Sequence, residues 1–297
     1  MFIPRKIVED RLKEILAEDI GQGDVTAGAI IQHGLTVNAE VIVKEEGIAA
    51  GIEEATILSE SLGLKVKPQV ADGESIRKNQ VIMQISGDAQ TILSAERTLL
   101  NLLSRMSGIA TTTNKLTEKL RKANLKAKIA ATRKSAPGLL YFDKKAVIIG
   151  NGDPHRLHLD DMVLIKDNHI AIVGSAEEAV KKAKANVSFS KKIEVEVTKA
   201  ADALKVAEAG ADVIMLDNFS PKQVKEAVEL LEKAGFFGKV ILEVSGGITA
   251  ENVIDYAAAQ VDIISMGEIT HSVKALDISL EITKTKEKEQ AVASLKV

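Results

Sequence analysis

The chain has no cysteine, no tryptophan, two tyrosines, six phenylalanines and five prolines in 297 residues. Without cysteine there is no disulfide scaffold, no thiolate zinc site and no cysteine nucleophile. Five prolines and 20 glycines are too few for a collagen-like or linker-like chain. A charge excess is also missing: 39 Lys+Arg stand against 42 Asp+Glu, a net charge of −3. A general nucleic-acid binder would show a marked basic surplus. No apolar run approaches the roughly 18 residues that would cross a bilayer. The first ten residues carry Arg5, Lys6, Glu9 and Asp10 and lack the apolar stretch of a secretory signal. A cytoplasmic protein is expected, with neither nucleic acid nor membrane as a partner. What is present is 45% apolar residues, enough for one large or two ordinary domains and too many for disorder.

Two halves read differently. Residues 37–44, 64–70 and 81–85 are short β-branched or alternating runs that read as strands, with a turn at Asp72-Gly73. Residues 52–62 carry helical periodicity and stop at Gly63. The stretch 72–85 resembles the half-barrel of a lipoyl or biotinyl domain. No lysine flanked by Met or Ala sits at its hairpin tip, so a carrier role is set aside. Residues 92–108 and 117–123 follow a helical period and predict a long helical pair joining the halves.

Beyond that pair the chain becomes a βα series. Strands are predicted at 128–132, 162–165, 192–196, 212–216, 240–243 and 262–265, and helices at 199–209, 221–234 and 250–259, with Gly210 and Gly235 as stops. Apolar strands alternating with helices imply a parallel sheet covered on both faces. Four consecutive strand ends carry polar or glycine-rich chemistry: Glu196, Asp217, Ser245-Gly246-Gly247 and Met266-Gly267. That fits a barrel with its site at the C-terminal face; a Rossmann sheet would carry its glycines in the first βα turn, and no GxGxxG occurs. Six or seven strands can be counted, short of eight.

Three features carry chemistry. The turns Ser245-Gly246-Gly247-Ile248-Thr249 and Ser265-Met266-Gly267-Glu268 leave successive strands for helices, where glycine amides and a helix N-terminus favour an anion such as phosphate. Cations follow strands at Thr132-Arg133-Lys134-Ser135, at His155-Arg156 and at Lys166. From Arg133 to Lys166 six Lys/Arg face four Asp/Glu, so placement rather than excess marks this stretch. Emerging from a buried strand, such cations are not ordinary surface charge. Glu194 and Glu196 share one side of a strand, and Asp217 closes another. Carboxylates at a barrel mouth can hold ribose hydroxyls, ligate Mg²⁺ through water, or stabilise positive charge on a sugar ring; a structural ion pair with Arg133 or Lys166 is the competing use. His155, His158 and His169 lack HExxH spacing, so a metal hydrolase is set aside.

Taken in order, Glu18 to Thr26, Glu96-Arg97-Thr98-Leu99-Leu100-Asn101, Arg133-Lys134, Leu164-Ile165-Lys166-Asp167-Asn168-His169, the strand of Glu194 and Glu196, Met215-Leu216-Asp217-Asn218 and Ser245-Gly246-Gly247 resemble the quinolinate phosphoribosyltransferase family of type II phosphoribosyltransferases. The resemblance spans residues 8–282. It implies an α/β protein: an N-terminal α/β sandwich domain (1–110, with 271–297 packing back onto it) and an incomplete, six- or seven-stranded α/β barrel (111–270). It implies transfer of phosphoribosyl from phosphoribosyl pyrophosphate (PRPP) to quinolinate with decarboxylation in de novo NAD synthesis, with Mg²⁺, in a homodimer. By position, Arg97 matches an arginine that crosses the subunit boundary. Thr132, Arg133, Lys134, His155, Arg156 and Lys166 match the groups that hold quinolinate and pyrophosphate. Glu196 and Asp217 match the ribose and metal carboxylates, the metal being reached through water or PRPP, and these two with Lys134 are the expected catalytic residues. Ser245, Gly246, Gly247 and Gly267 match the 5′-phosphate cradle.

The chain departs from the family pattern at Ser135, Ala136, Asn151, Pro154 and His158, positions that bear on the pyridine ring. The alternatives are a phosphoribosyltransferase for nicotinate or another pyridine without decarboxylation, and a non-catalytic sensor of a phosphate ligand built on the same barrel.

Overall fold

A computed structural model describes residues 3–285; the last residues of the predicted returning segment, 286–297, lie outside the described residues. The elements in order are α1 (Arg5–Ile20), α2 (Val25–Ile30), β1 (Thr36–Val43), β2 (Gly47–Ile48), α3 (Ile52–Ser61), β3 (Lys65–Pro68), β4 (Ser75–Ile76), β5 (Val81–Asp88) and α4 (Ala89–Lys122). They continue with β6 (Lys128–Ala130), α5 (Leu140–Ile149), β7 (Val163–Ile165), α6 (Asp167–Val173), α7 (Ala176–Asn186), β8 (Ile193–Val197) and α8 (Ala200–Ala209). The rest are β9 (Val213–Asp217), α9 (Pro221–Lys233), β10 (Ile241–Ser245), α10 (Val253–Ala257), β11 (Ile263–Ser265), α11 (Glu268–His271) and β12 (Ile278–Thr285). No helix among them is long and apolar enough to cross a membrane. The chain forms two compact units, 3–112 with 273–285, and 113–272.

In the first unit, β12, β1, β5 and β3 form an antiparallel sheet in that order. The alternation of β1 sends Val37, Ala39, Val41 and Val43 inward. They pack with Ile52 and Ala55 of α3 and Leu99, Leu100 and Leu103 of α4, so helices cover one face of the sheet. The acidic motif near residue 20 ties the N-terminal helices down. Asp24 Oδ1 accepts the Ala27 N–H at 2.9 Å and caps α2, while the Thr98 hydroxyl donates to Asp19 at 2.8 Å.

The predicted helical pair is one continuous helix of 34 residues. Gly108 and the threonines at 111–113 read as a break because glycine and β-branched residues are poor helix formers. Packing decides otherwise. A Cβ at Gly108 would overlap the Lys274 carbonyl oxygen, and the Thr111 hydroxyl accepts the Ile48 N–H at 2.8 Å. These residues serve the irregular chain beside the helix.

In the second unit all six predicted strands form one parallel sheet, ordered β6-β11-β10-β9-β8-β7. Chain-last β11 pairs with chain-first β6, and the seam lies between β6 and β7. An open doubly wound sheet does not pair its first strand with its last; this is an incomplete barrel. In the seam, Asp153 lies beside β6, its N–H donating to Ile129 at 2.8 Å and its carbonyl accepting from Ala131 at 3.0 Å. This single bridge stands where a seventh strand would. The helix expected directly after Ser245-Gly246-Gly247 begins only at Val253, and the one after Gly267 has four residues. The helix-terminus part of the anion argument therefore lapses at both turns, leaving the backbone amides.

Candidate active site

The C-terminal ends of the strands converge on one cavity of about 470 Å³. Its lining includes Thr132, Arg133 and Lys134 after β6, Lys166 after β7, Glu196 from β8, Asp217 and Asn218 at β9, Glu243 and Ser245 from β10 and Ser265 from β11. His155 and Arg156 enter from the seam, and Leu164 and Met215 supply apolar surface. Nine sequence-predicted residues therefore meet here: Thr132, Arg133, Lys134, His155, Arg156, Lys166, Glu196, Asp217 and Ser245.

Four do not line it. Arg97 is exposed on α4 in the first unit. Gly246 and Gly247 lie just beyond the rim, in left-handed conformations at φ 94° and 63°. A Cβ on Gly246 would overlap the Asn218 side chain. Gly267 makes room for the Lys134 stem, 3.2 Å from where a Cβ would stand. None of Ser135, Ala136, Asn151, Pro154 and His158 lines the cavity either; Asn151 adopts φ 66°, a left-handed value that asparagine tolerates.

The charges divide into paired and unpaired. Lys166 Nζ lies 2.6 Å from Glu196 Oε1, the ion pair weighed as a competing use of that acid. Among the described residues, Arg133, Lys134 and Arg156 form no ion pair. The Arg156 guanidinium is pushed down from its ordinary value by burial and by the neighbouring Arg133 charge. Three unpaired cations beside a 470 Å³ cavity constitute a receptor for a polyanion. The Asp217 carboxylate accepts from Asn218 Nδ2 at 2.8 Å, and the Asn218 N–H donates to the Ser245 carbonyl at 2.8 Å.

At the cavity wall His155 meets two buried acids, Glu194 and Glu243, of which sequence reasoning missed Glu243. Glu194 and Glu243 are fully buried, and His155 Nε2 lies 3.3 Å from Glu194 and 3.1 Å from Glu243. Burial opposes protonation of this imidazole, but the two acids outweigh it and push it up to about 10. Burial likewise pushes Glu194 up. The Arg156 N–H points at Nδ1 at 2.8 Å. Glu243 had one signal, a lone acid inside the apolar run 240–244.

The fold and this rim define an α/β-barrel protein that binds anionic ligands at the C-terminal ends of its strands. Comparison with known proteins agrees. Residues 24–107 match the N-terminal domain of quinolinate phosphoribosyl transferase and residues 109–281 its C-terminal domain. The chain belongs to the quinolinate phosphoribosyl transferase family. It is 45% identical over 273 residues, 92% of this chain and 98% of the relative, to a probable nicotinate-nucleotide pyrophosphorylase (carboxylating) of Methanothermobacter thermautotrophicus. A protein of the same name from Archaeoglobus fulgidus is 49% identical over 260 residues, covering 88% and 98% of the two chains. The structure of the nicotinate-nucleotide pyrophosphorylase from Francisella tularensis superposes with a TM-score of 0.86 at 38% identity, covering 95% of this chain and 98% of that one.

Proposed function

We propose that this chain transfers the phosphoribosyl group of PRPP to quinolinate with loss of CO₂, giving nicotinate mononucleotide and pyrophosphate. The observation that carries the assignment is the set of three unpaired cations and two carboxylates, Glu196 and Asp217, around one cavity. Quinolinate brings two carboxylates and PRPP several phosphate charges. Each bare like-charge contact at about 4 Å would cost about 4 kcal/mol at an effective dielectric of about 20. Arg133, Lys134, Arg156 and Lys166 neutralise that repulsion, the arginines gripping carboxylates bidentately and the lysines acting as movable point charges. Leu164 and Met215 offer the pyridine ring an apolar wall.

The ring nitrogen attacks C1 of the ribose as the C1–O bond to pyrophosphate breaks, through an oxocarbenium-like state that Glu196 and Asp217 stabilise. The quaternised nitrogen then takes up the electron pair left when the C2 carboxylate departs as CO₂, and a proton fills C2. No base is needed for the attack. Glu196 and Asp217 extend from neighbouring strands without a third ligand group beside them among the described residues. That donor set suits Mg²⁺, which keeps its waters and binds through one or two carboxylates plus substrate phosphates. Glu196 and Asp217 would hold Mg²⁺ through its waters, and the ion would supply neutralising charge for the departing pyrophosphate. The amides at Ser245–Gly247 and beside Gly267 are assigned to the 5′-phosphate.

Arg97 is assigned to the site of a second copy in a homodimer. Mixing Arg97→Ala subunits with Lys134→Ala subunits is expected to restore about a quarter of the activity by forming mixed dimers with one intact site, an order-of-magnitude figure from random pairing of symmetric subunits. The function itself is tested by incubating the protein with quinolinate, PRPP and Mg²⁺ and following nicotinate mononucleotide and CO₂. Turnover of nicotinate without CO₂, and none of quinolinate, would replace the assignment; PRPP binding without pyrophosphate release would make the protein a sensor.

A further inference from the structure

The segment Asp153–Arg156 in the barrel seam is held at every residue from deeper in the fold. The Asp153 backbone is bridged to β6 on both sides. The Pro154 carbonyl accepts from the ammonium of Lys144, a fully buried lysine on α5. His155 has φ 53°, its N–H donates to Asp153 Oδ1 at 2.8 Å, and its Nδ1 accepts the Arg156 N–H at 2.8 Å. Its Nε2 faces Glu243 and Glu194, and Oε1 of Glu243 and both oxygens of Glu194 have no hydrogen-bond partner.

A non-glycine residue at positive φ is strained by about 1 kcal/mol or more. Buried ionisable groups are often replaced by apolar residues without loss, or with a gain, in stability. The same three groups at 155, 194 and 243 have the spacing of cation ligands. A cation on Nε2, however, would require Nδ1 to carry the ring proton, and Nδ1 is already an acceptor. What the arrangement does is local: hydrogen bonds hold the chain at Pro154, at His155 and at the Arg156 N–H, and Arg156 is an unpaired cation of the cavity among the described residues.

We propose that Lys144, Glu194 and Glu243 are positioning residues for substrate binding, acting through the Pro154-His155 turn to aim Arg156 at a carboxylate of the pyridine substrate. This rests on the quinolinate assignment above. Because the aim of Arg156 matters equally before and during reaction, its loss is read in KM rather than kcat. Glu243→Leu, which removes the acceptor for Nε2–H, is expected to raise KM for quinolinate about tenfold or more, with kcat within about twofold and KM for PRPP unchanged. Glu243→Gln keeps a carbonyl acceptor and is expected to stay within about threefold of the parent enzyme. Lys144→Met tests the other anchor with the same expected split.

A quinolinate KM within about twofold of the parent in both Glu243→Leu and Lys144→Met overturns the proposal, and so does a parallel rise for both substrates. Failure of the parent enzyme to make nicotinate mononucleotide would refute the function instead, before any variant is compared.

Discussion

Glu196→Gln separates the two uses of one carboxylate. In the structure Glu196 holds the Lys166 ammonium at 2.6 Å, with 45% of the lysine side chain and 16% of the glutamate side chain exposed. A pair that open to water contributes at most about 1 kcal/mol. The substitution should therefore cost little stability, and by freeing Lys166 it should leave quinolinate KM unchanged or lower it by up to about fivefold. The second use faces the ribose. A unit negative charge about 5 Å from the developing oxocarbenium, at an effective dielectric of about 20, stabilises it by about 3 kcal/mol. Losing it corresponds to roughly a hundredfold or more in kcat. The assay is steady-state release of labelled CO₂ from carboxyl-labelled quinolinate, with the melting temperature as a check on folding. A kcat within about threefold of the parent together with a raised quinolinate KM would refute the reasoning, because Glu196 would then serve only to hold Lys166.

Gly246→Ala should raise KM for PRPP about tenfold or more, since the residue sits at φ 94° and a Cβ would overlap Asn218; titration calorimetry with PRPP checks it. Gly108→Ala sets helix propensity, which favours alanine by about 1 kcal/mol, against overlap with the Lys274 carbonyl. The overlap should win, and melting should fall by several degrees, about 2–4 °C per kcal/mol for a domain of this size. Lys144 is pushed down by burial from its ordinary 10.5 to about 8. Between those two values the unfolded chain binds more protons than the folded one, so stability rises with pH across that window. The parent should gain stability relative to Lys144→Met from about pH 8 to about pH 10.5 in urea titrations, and parallel curves would count against the shift.

The βα alternation was legible because each barrel strand is an apolar run bounded by polar or glycine punctuation, so all six appear in the sheet. Arg133, Lys134, Lys166, Glu196 and Asp217 were legible because they directly follow or close such runs. Glu243 was not: its neighbours Leu242 and Val244 are as apolar as a strand interior requires, and only the fold shows that it meets His155 from across the barrel. The conformation of His155 was equally hidden, since local sequence gives no reason for a histidine at φ 53°; its cause lies in residues 144, 194 and 243. The continuous α4 shows the same limit in the opposite direction. Its glycine and threonines speak for a break locally and are overruled by partners more than fifty residues away, such as Ile48 on Thr111.

The two larger sheets are each finished by a late strand. β12, at 278–285, pairs with β1, at 36–43, and β11, at 263–265, pairs with β6, at 128–130. During synthesis on the ribosome, the four-stranded sheet must wait for nearly the whole chain before one edge is covered, and the barrel must wait for β11. Such long-range closures are slow and leave strand edges exposed to other nascent chains. A messenger truncated before codon 278 would therefore yield a polypeptide whose N-terminal sheet lacks its edge strand β12, leaving β1 unpaired on that side.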